Sequence, residues 1–408
     1  MIASLALFLN TCLSINCTPK PSTEKVLDEL LDWVATTRGL EKPADLEHVF
    51  ISSEELHQQL LDDFEGENTQ EELITNQELL VLLGLMEEDI NLYATLLDLY
   101  TEQIAGYYDY EAKKLYVISD KPTLSVKDKV TFVHEATHAL QDHHFDLKSL
   151  QDETGDDTEY SAALTALIEG DAQISEILYI QSLSASDYQI LEQEYEDIDS
   201  TKYNAAPRYI QQSILFPYSY GLEFTAQLFI DSDSSWTLID NAYDDHPRST
   251  EQIIHPTKYT EGEDPVDVNL PDMELLLGGS WEEKDNGTVG EFDLRMTLEA
   301  FIAPSEITEA AAAGWGGDKY AYLKNDDGEK LLVIYSTWDT PDDAQEFFDL
   351  YEANRTDENW ASAVDQTDKR TWDNDDQYLH LEKVDGYVLL INAPNAATAN
   401  LVRNAVLP

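Results

Sequence analysis

The chain has 408 residues, of which 42% are hydrophobic, with 22 tyrosines and 7 tryptophans; this is ample for a packed core and excludes global disorder. Its 82 acidic residues against 24 basic ones leave a formal net charge of -58 at pH 7. Such a chain repels nucleic acids and anionic membrane surfaces, so neither is expected as a partner. The acids are spread along the whole chain and no D-x-D-x-D-G loop occurs, so the charge reads as a surface adapted to a salty milieu rather than as a set of calcium loops.

The chain begins MIASLALFLNTCLSINC, a largely apolar run with no charged side chain, and continues with the polar TPKPSTE. The run is too short for a comfortable membrane span and suits a signal-peptide core. A cysteine after an apolar run, with a flexible tether behind it, is similar to a bacterial lipoprotein start, although neither Cys12 nor Cys17 sits in a good lipobox. Residues 1–19 are therefore expected to be a signal peptide or lipoprotein signal. Export to the extracellular space or cell surface follows, with an N-terminal lipid as the only route to membrane attachment. No cysteine comes after Cys17, so the body of the chain has neither disulfides nor a zinc–thiolate site.

Residues 20–104 read as a helical region. In STEKVLDELLDWVATTRGL, Val26, Leu27, Leu30, Leu31 and Val34 form one stripe and Gly39 is the stop. Further helices are expected near 54–64, 76–85 and 89–104. The sequence leaves open whether this region is an inhibitory pro-segment or an integral subdomain. A second region, 105–303, opens with GYYDYEAKKLYVISD, whose spacing predicts a hairpin or an edge strand, with Leu115–Ser119 as an edge for an extended substrate. A helix follows from near Ser125, where Asp128 three residues on completes a capping box. More helices are expected from Glu159, over Ser186–Glu194, Arg208–Ile230 and Ser235–Tyr243, then a looser stretch from Pro247 to about Gly290. Residues 304–408 read as a small β-β-α-β-β-α domain with NDDG and VDG as hairpin turns.

The chemistry gathers in TFVHEATHALQDHHFDL, which holds His134, His138, His143 and His144, four of the nine histidines. His134 and His138 are one helical turn apart, so both imidazoles project from one face and can share a metal ion. Glu135, one step around, can reach a water on the open side of that ion as general base and acid. A catalytic zinc needs a third ligand, and two candidates stand. Glu169 is a carboxylate set in the apolar run ALIEGDAQ, expensive there unless paired or ligating. His144 has the spacing of three-histidine sites, but Gln141 holds the position where those sites use a glycine to turn the chain. Asp171 is a candidate to orient a ligating histidine. Tyr218, Tyr220, Arg248 and His255 are candidate hydrogen-bond donors to a tetrahedral intermediate, with Tyr220 and His255 carried furthest.

His134, Glu135, His138 and Glu169 together resemble the gluzincin class of zinc metallopeptidases. The strings QIAGYYD, HEATHALQDHHFDL, ALIEGDA, FPYSYGLEF, PRSTEQIIHP and GWGGDKY are similar to a group of bacterial metallopeptidases often built as lipoproteins. The resemblance implies an α+β protein: a mostly helical zincin-like metallopeptidase domain with a small edge sheet, followed by the small C-terminal α+β domain. It implies one Zn2+ per chain held by His134, His138 and Glu169, with Glu135 as the acid/base, and a peptide or protein substrate. In better-known gluzincins an aspartate four residues past the glutamate supports a histidine; here that position is Gln173, so either Asp171 serves or the support differs. Two other readings stay open, a non-catalytic cell-surface binding protein on the same scaffold and a zinc hydrolase of another amide or ester.

Overall fold

The computed structural model describes residues 21–67, 69–100, 106–118, 123–196, 200–354, 361–374 and 377–407. The expected leader over residues 1–19, with Cys12 and Cys17, lies outside the described residues. The protein is α+β and divides into two compact units. Unit 1 runs to Leu73, resumes over Asn91–Gly155 and closes with Leu164–Pro247; unit 2 is Ile74–Ile90, Asp156–Ala163 and the chain from Arg248 onward. Among the described residues, no helix is long and apolar enough to cross a membrane.

Unit 1 is mostly helical around a three-stranded sheet. Its first helix, Pro21–Arg38, buries the expected stripe: Leu27, Leu30, Leu31 and Val34 pack with Phe132, Val133, Ala136, Ala139 and Leu140 of a second helix, Val126–Phe145. We call the latter the histidine helix. Gly39 ends the first helix in the left-handed region, at φ 77°. Strand β1 (Glu47–Ile51) was not expected in a region read as wholly helical. It has no alternation of its own and is held by pairing in parallel with β3 (Lys114–Ile118), which pairs in antiparallel fashion with β2 (Gly106–Asp109). The sheet order β1-β3-β2 corrects the expected substrate edge. Leu115–Ile118 lies in the central strand, bonded on both sides, and β2 is an edge; Ser119 lies outside the described residues. The first helix and β1 are thus built into the core of unit 1.

Ser125 caps the histidine helix as expected: Asp128 N donates to its Oγ at 3.1 Å and Ser125 N donates back to Asp128 Oδ2 at 2.8 Å. The helix continues to Phe145, and the left-handed residue that ends it is Asp146, at φ 52°. A long helix, Thr158–Ser182, carries Glu169, and another, Arg208–Asp231, carries the tyrosines. We call these the glutamate helix and the tyrosine helix.

Unit 2 carries a seven-stranded antiparallel sheet. Its strands are β4 (Trp281–Gly287), β5 (Trp315–Asn325), β6 (Lys330–Trp338), β7 (Ala361–Gln366), β8 (Lys369–Asp373), β9 (Tyr378–Val384) and β10 (Tyr387–Ala393), in the order β4-β5-β6-β10-β9-β8-β7. Alternation along β6 explains how both faces are covered. Leu331 and Val333 face a cluster with Ala399 and Val402 of the terminal helix Ala396–Val406. Trp338, on the opposite face, packs against Phe347 of helix Pro341–Asn354 with ring centroids 4.8 Å apart. The NDDG and VDG turns lie where expected, but the β-β-α-β-β-α order is incomplete, because β7 and β8 form a further hairpin and β4 joins the same sheet. The expected boundary at 304 accordingly falls inside unit 2.

Candidate metal centre

The histidine and glutamate helices bring three ligand atoms together inside unit 1. His134 Nε2 lies 3.0 Å from Glu169 Oε2, His138 Nε2 lies 3.1 Å from His134 Nε2, and His138 Nε2 lies 3.5 Å from Glu169 Oε2. A tetrahedral ion with bonds of about 2.0–2.2 Å holds its ligand atoms roughly 3.3–3.6 Å apart. The observed triangle is within a few tenths of an ångström of that spacing.

The protons make the argument stronger. His134 Nδ1 faces Glu176 Oε2 at 3.2 Å, and His138 Nδ1 faces Gln141 Oε1 at 2.8 Å. Both partners are acceptors, so each Nδ1 carries a hydrogen and, in the neutral ring, each Nε2 presents a lone pair. Two imidazole lone pairs and a carboxylate oxygen then converge on one point, an arrangement that repels itself unless a cation is shared among them. With protons alone to relieve that repulsion, the rings are driven toward the charged form: burial would lower the His134 pKa, but the bonds to Glu169 and Glu176 raise it well above the ordinary value. His138 is likewise raised against burial, chiefly by Glu169. Burial would raise Glu169, yet the two imidazoles bring it down to about 2. The donor set, two nitrogens and one oxygen, fits zinc.

Glu135 is 5% exposed and points to the sheet, where Tyr108 N of β2 donates to its Oε2 at 2.9 Å. Burial raises its pKa above the ordinary value, against the pull of His138 and His134. The same strand is fixed at a second point, because Tyr108 Oη donates to Asp142 Oδ2 at 2.7 Å, two helical turns further along. The GYYD strand therefore registers against the acid of the HExxH pattern.

Glycines set the distance between the glutamate and tyrosine helices. A Cβ on Gly170 would lie 2.0 Å from Gly221 O, and one on Gly221 would lie 2.2 Å from Ala166 O. The two backbones are in direct contact, which accounts for the glycines in IEGDA and SYGLEF. Tyr218, nearly one turn before Gly221, is thereby set with its ring centroid 6.3 Å from that of His134. Tyr220 packs instead against Phe216, at 5.2 Å. Of the two tyrosines, Tyr218 is the one whose ring lies beside that of His134.

A family model described as a domain of unknown function (DUF8575) matches residues 275–403, which lie in unit 2. No curated protein and no solved structure was found to match the chain. The matched segment spans the seven-stranded sheet and leaves out the histidine helix.

The other expected site residues are placed elsewhere. His144 turns away, its Nε2 2.9 Å from Glu41 O, so the three-histidine alternative is not formed. The helix passes straight through Gln141, where such a site would need a turn. Asp171 does not contact either imidazole; it reaches His138 only through Gln141. His255 belongs to unit 2, where it links two short helices and its Nε2 bonds Glu291 Oε1 at 2.8 Å. Arg248 is also in unit 2, over the ring of Tyr160 at 5.5 Å. Sequence reasoning missed Glu176 and Gln141. Glu176 was within reach of it, being two turns past Glu169 on the same helix face. Gln141 entered the sequence reading only as the residue standing where a three-histidine site has glycine, and it is fully buried. A second acidic group, Glu251, Glu263 and Asp339, already surrounds the ammonium of Lys258.

Proposed function

We propose that the protein is a zinc metallopeptidase of gluzincin type, with a zincin-like fold in unit 1, acting on peptide or protein substrates outside the cell. The observation that carries this reading is the convergence of His134 Nε2, His138 Nε2 and Glu169 Oε2 within 3.5 Å of one another, with both Nδ1 atoms turned to acceptors. These three residues would hold one zinc ion. A zinc ion so bound acts as a Lewis acid toward a carbonyl and makes water a nucleophile near neutral pH.

The chain's own groups then have defined tasks. Glu135 removes a proton from the attacking water and returns it to the leaving amine; a carboxyl raised by burial is suited to both halves of that transfer. The Tyr108 amide holds one of its oxygens, leaving the other to receive the proton. Tyr218, beside His134, is the group best placed to donate to the oxygen that gains charge.

The test is metal analysis beside peptide hydrolysis. The wild type should carry about one zinc per chain. Glu135→Gln should retain it and lose roughly 10²–10⁴-fold in activity, whereas His134→Ala should lose the metal. Zinc bound at this site without cleavage of any peptide in a broad library would sink the proposal.

A further inference from the structure

The buried groups behind His138 form a chain that ends on a residue far away in sequence. Gln141 Nε2 donates to Asp171 Oδ2 at 2.9 Å and to Ile168 O at 3.0 Å. Both are acceptors, so this end of the amide must be the nitrogen, and the oxygen must face His138 Nδ1. Asp171 in turn is gripped by Arg38, whose Nε lies 2.7 Å from Oδ1 and whose Nη2 lies 3.1 Å from Oδ2. Tyr243 Oη adds a third bond to Oδ2 at 2.9 Å.

Arg38 is itself held firmly. It is the last residue of the first helix and is 0% exposed. Its guanidinium sits 4.4 Å from the centre of the Trp236 ring and pairs with Asp240 at 2.6 Å. Trp236 Nε1 donates to Thr37 O at 2.8 Å, which locks the indole to the same helix end. A planar fork can hold both oxygens of a carboxylate in one orientation, which a single ammonium cannot.

We propose that Arg38 is a positioning residue for His138: by fixing Asp171 it fixes the flip of Gln141, and Gln141 fixes the imidazole with its proton on Nδ1 and its lone pair at the metal position. The inference rests on the reading of His134, His138 and Glu169 as metal ligands. It gives the first helix a role at that site and not in packing alone. It also replaces the direct carboxylate support expected of Asp171 with a two-step relay.

A double-mutant cycle in zinc affinity tests it, with zinc itself as the probe in competition against a chromophoric chelator, alongside the melting temperature of the metal-free protein. Gln141→Met should weaken zinc binding by about 10–100-fold, the usual effect of losing a group that orients a ligand. Arg38→Lys should weaken it by about tenfold, within the same range. In the Gln141→Met background Arg38→Lys should cause no further loss of zinc affinity, while still lowering the melting temperature. Should Arg38→Lys fail to fold, Asp171→Asn takes its place in the cycle with the same expectation. Independent losses that multiply in the double variant, or unchanged affinity in Gln141→Met, would overturn the relay while leaving the zinc reading intact. A wild type that binds no zinc would remove the reading beneath it, and the relay with it.

Discussion

At the scale of single residues, the two candidates for a third ligand are placed differently. Glu169 is 8% exposed and meets both imidazoles, whereas His144 bonds a backbone carbonyl. Glu169→Ala is expected to lose bound zinc while His144→Ala retains it, measured as metal content after gel filtration. The apolar run ALIEGDAQ announced Glu169, because an unpaired carboxylate there would be costly. Nothing comparable announced Gln141. A glutamine beside Asp142 and His143 looks solvated in a one-dimensional pattern, and only the neighbouring helix shows that its amide is enclosed.

At the scale of elements, two contacts carry consequences. The glutamate and tyrosine helices touch through Gly170 and Gly221, with no room for a methyl group. Gly170→Ala should push the backbones apart and destabilise unit 1 by about 1–3 kcal/mol, as overpacking does, read as a lower melting temperature. In the sheet of unit 2, Glu382 of β9 is gripped by Arg403 of the terminal helix, with Nη2 at 2.6 Å and Nε at 2.9 Å, and accepts from His380 at 2.8 Å. Burial would raise the Glu382 pKa, but these partners bring it down to about 2 from an ordinary 4.5. A folded value below the unfolded one means that the stabilisation is present above 4.5 and is lost as pH falls toward 2. Arg403→Met should flatten the decline in stability across that window, measured by urea unfolding at a series of pH values. An undiminished decline in the variant would place the acid sensitivity elsewhere.

At the scale of the whole molecule, charge dominates. With 82 acids and 24 bases, the few cations are drawn into dense partnerships. Lys258 lies among Glu251, Glu263 and Asp339, and Glu78 receives Lys324, Lys330 and the Tyr322 hydroxyl. The remaining acids repel one another over distances that salt controls, since the screening length falls from about 10 Å at 0.1 M to about 3 Å at 1 M. Raising potassium chloride across that range should raise the melting temperature, and sucrose at matched osmolality should not reproduce the gain. Equal gains from both would show that surface charge is not the cause.

Local pattern by itself determined the α+β class, the stripe of the first helix, the capping box at Ser125, the GYYD hairpin, the terminal hairpins and the HExxH pair. Each is set by residues within a turn or two of one another, so periodicity and capping chemistry suffice to read it. Only the tertiary structure decided the rest. β1 exists because β3 pairs with it, β4 and β7–β8 belong to a sheet completed from distant segments, and Leu115–Ile118 became a central strand rather than an edge. The site divides the same way. His134 and His138 are neighbours by helical geometry, but Glu176, Gln141, Asp171 and Arg38 acquire their partners only when helices pack. A buried polar group is defined by what lies across from it, and that information is not local in the chain.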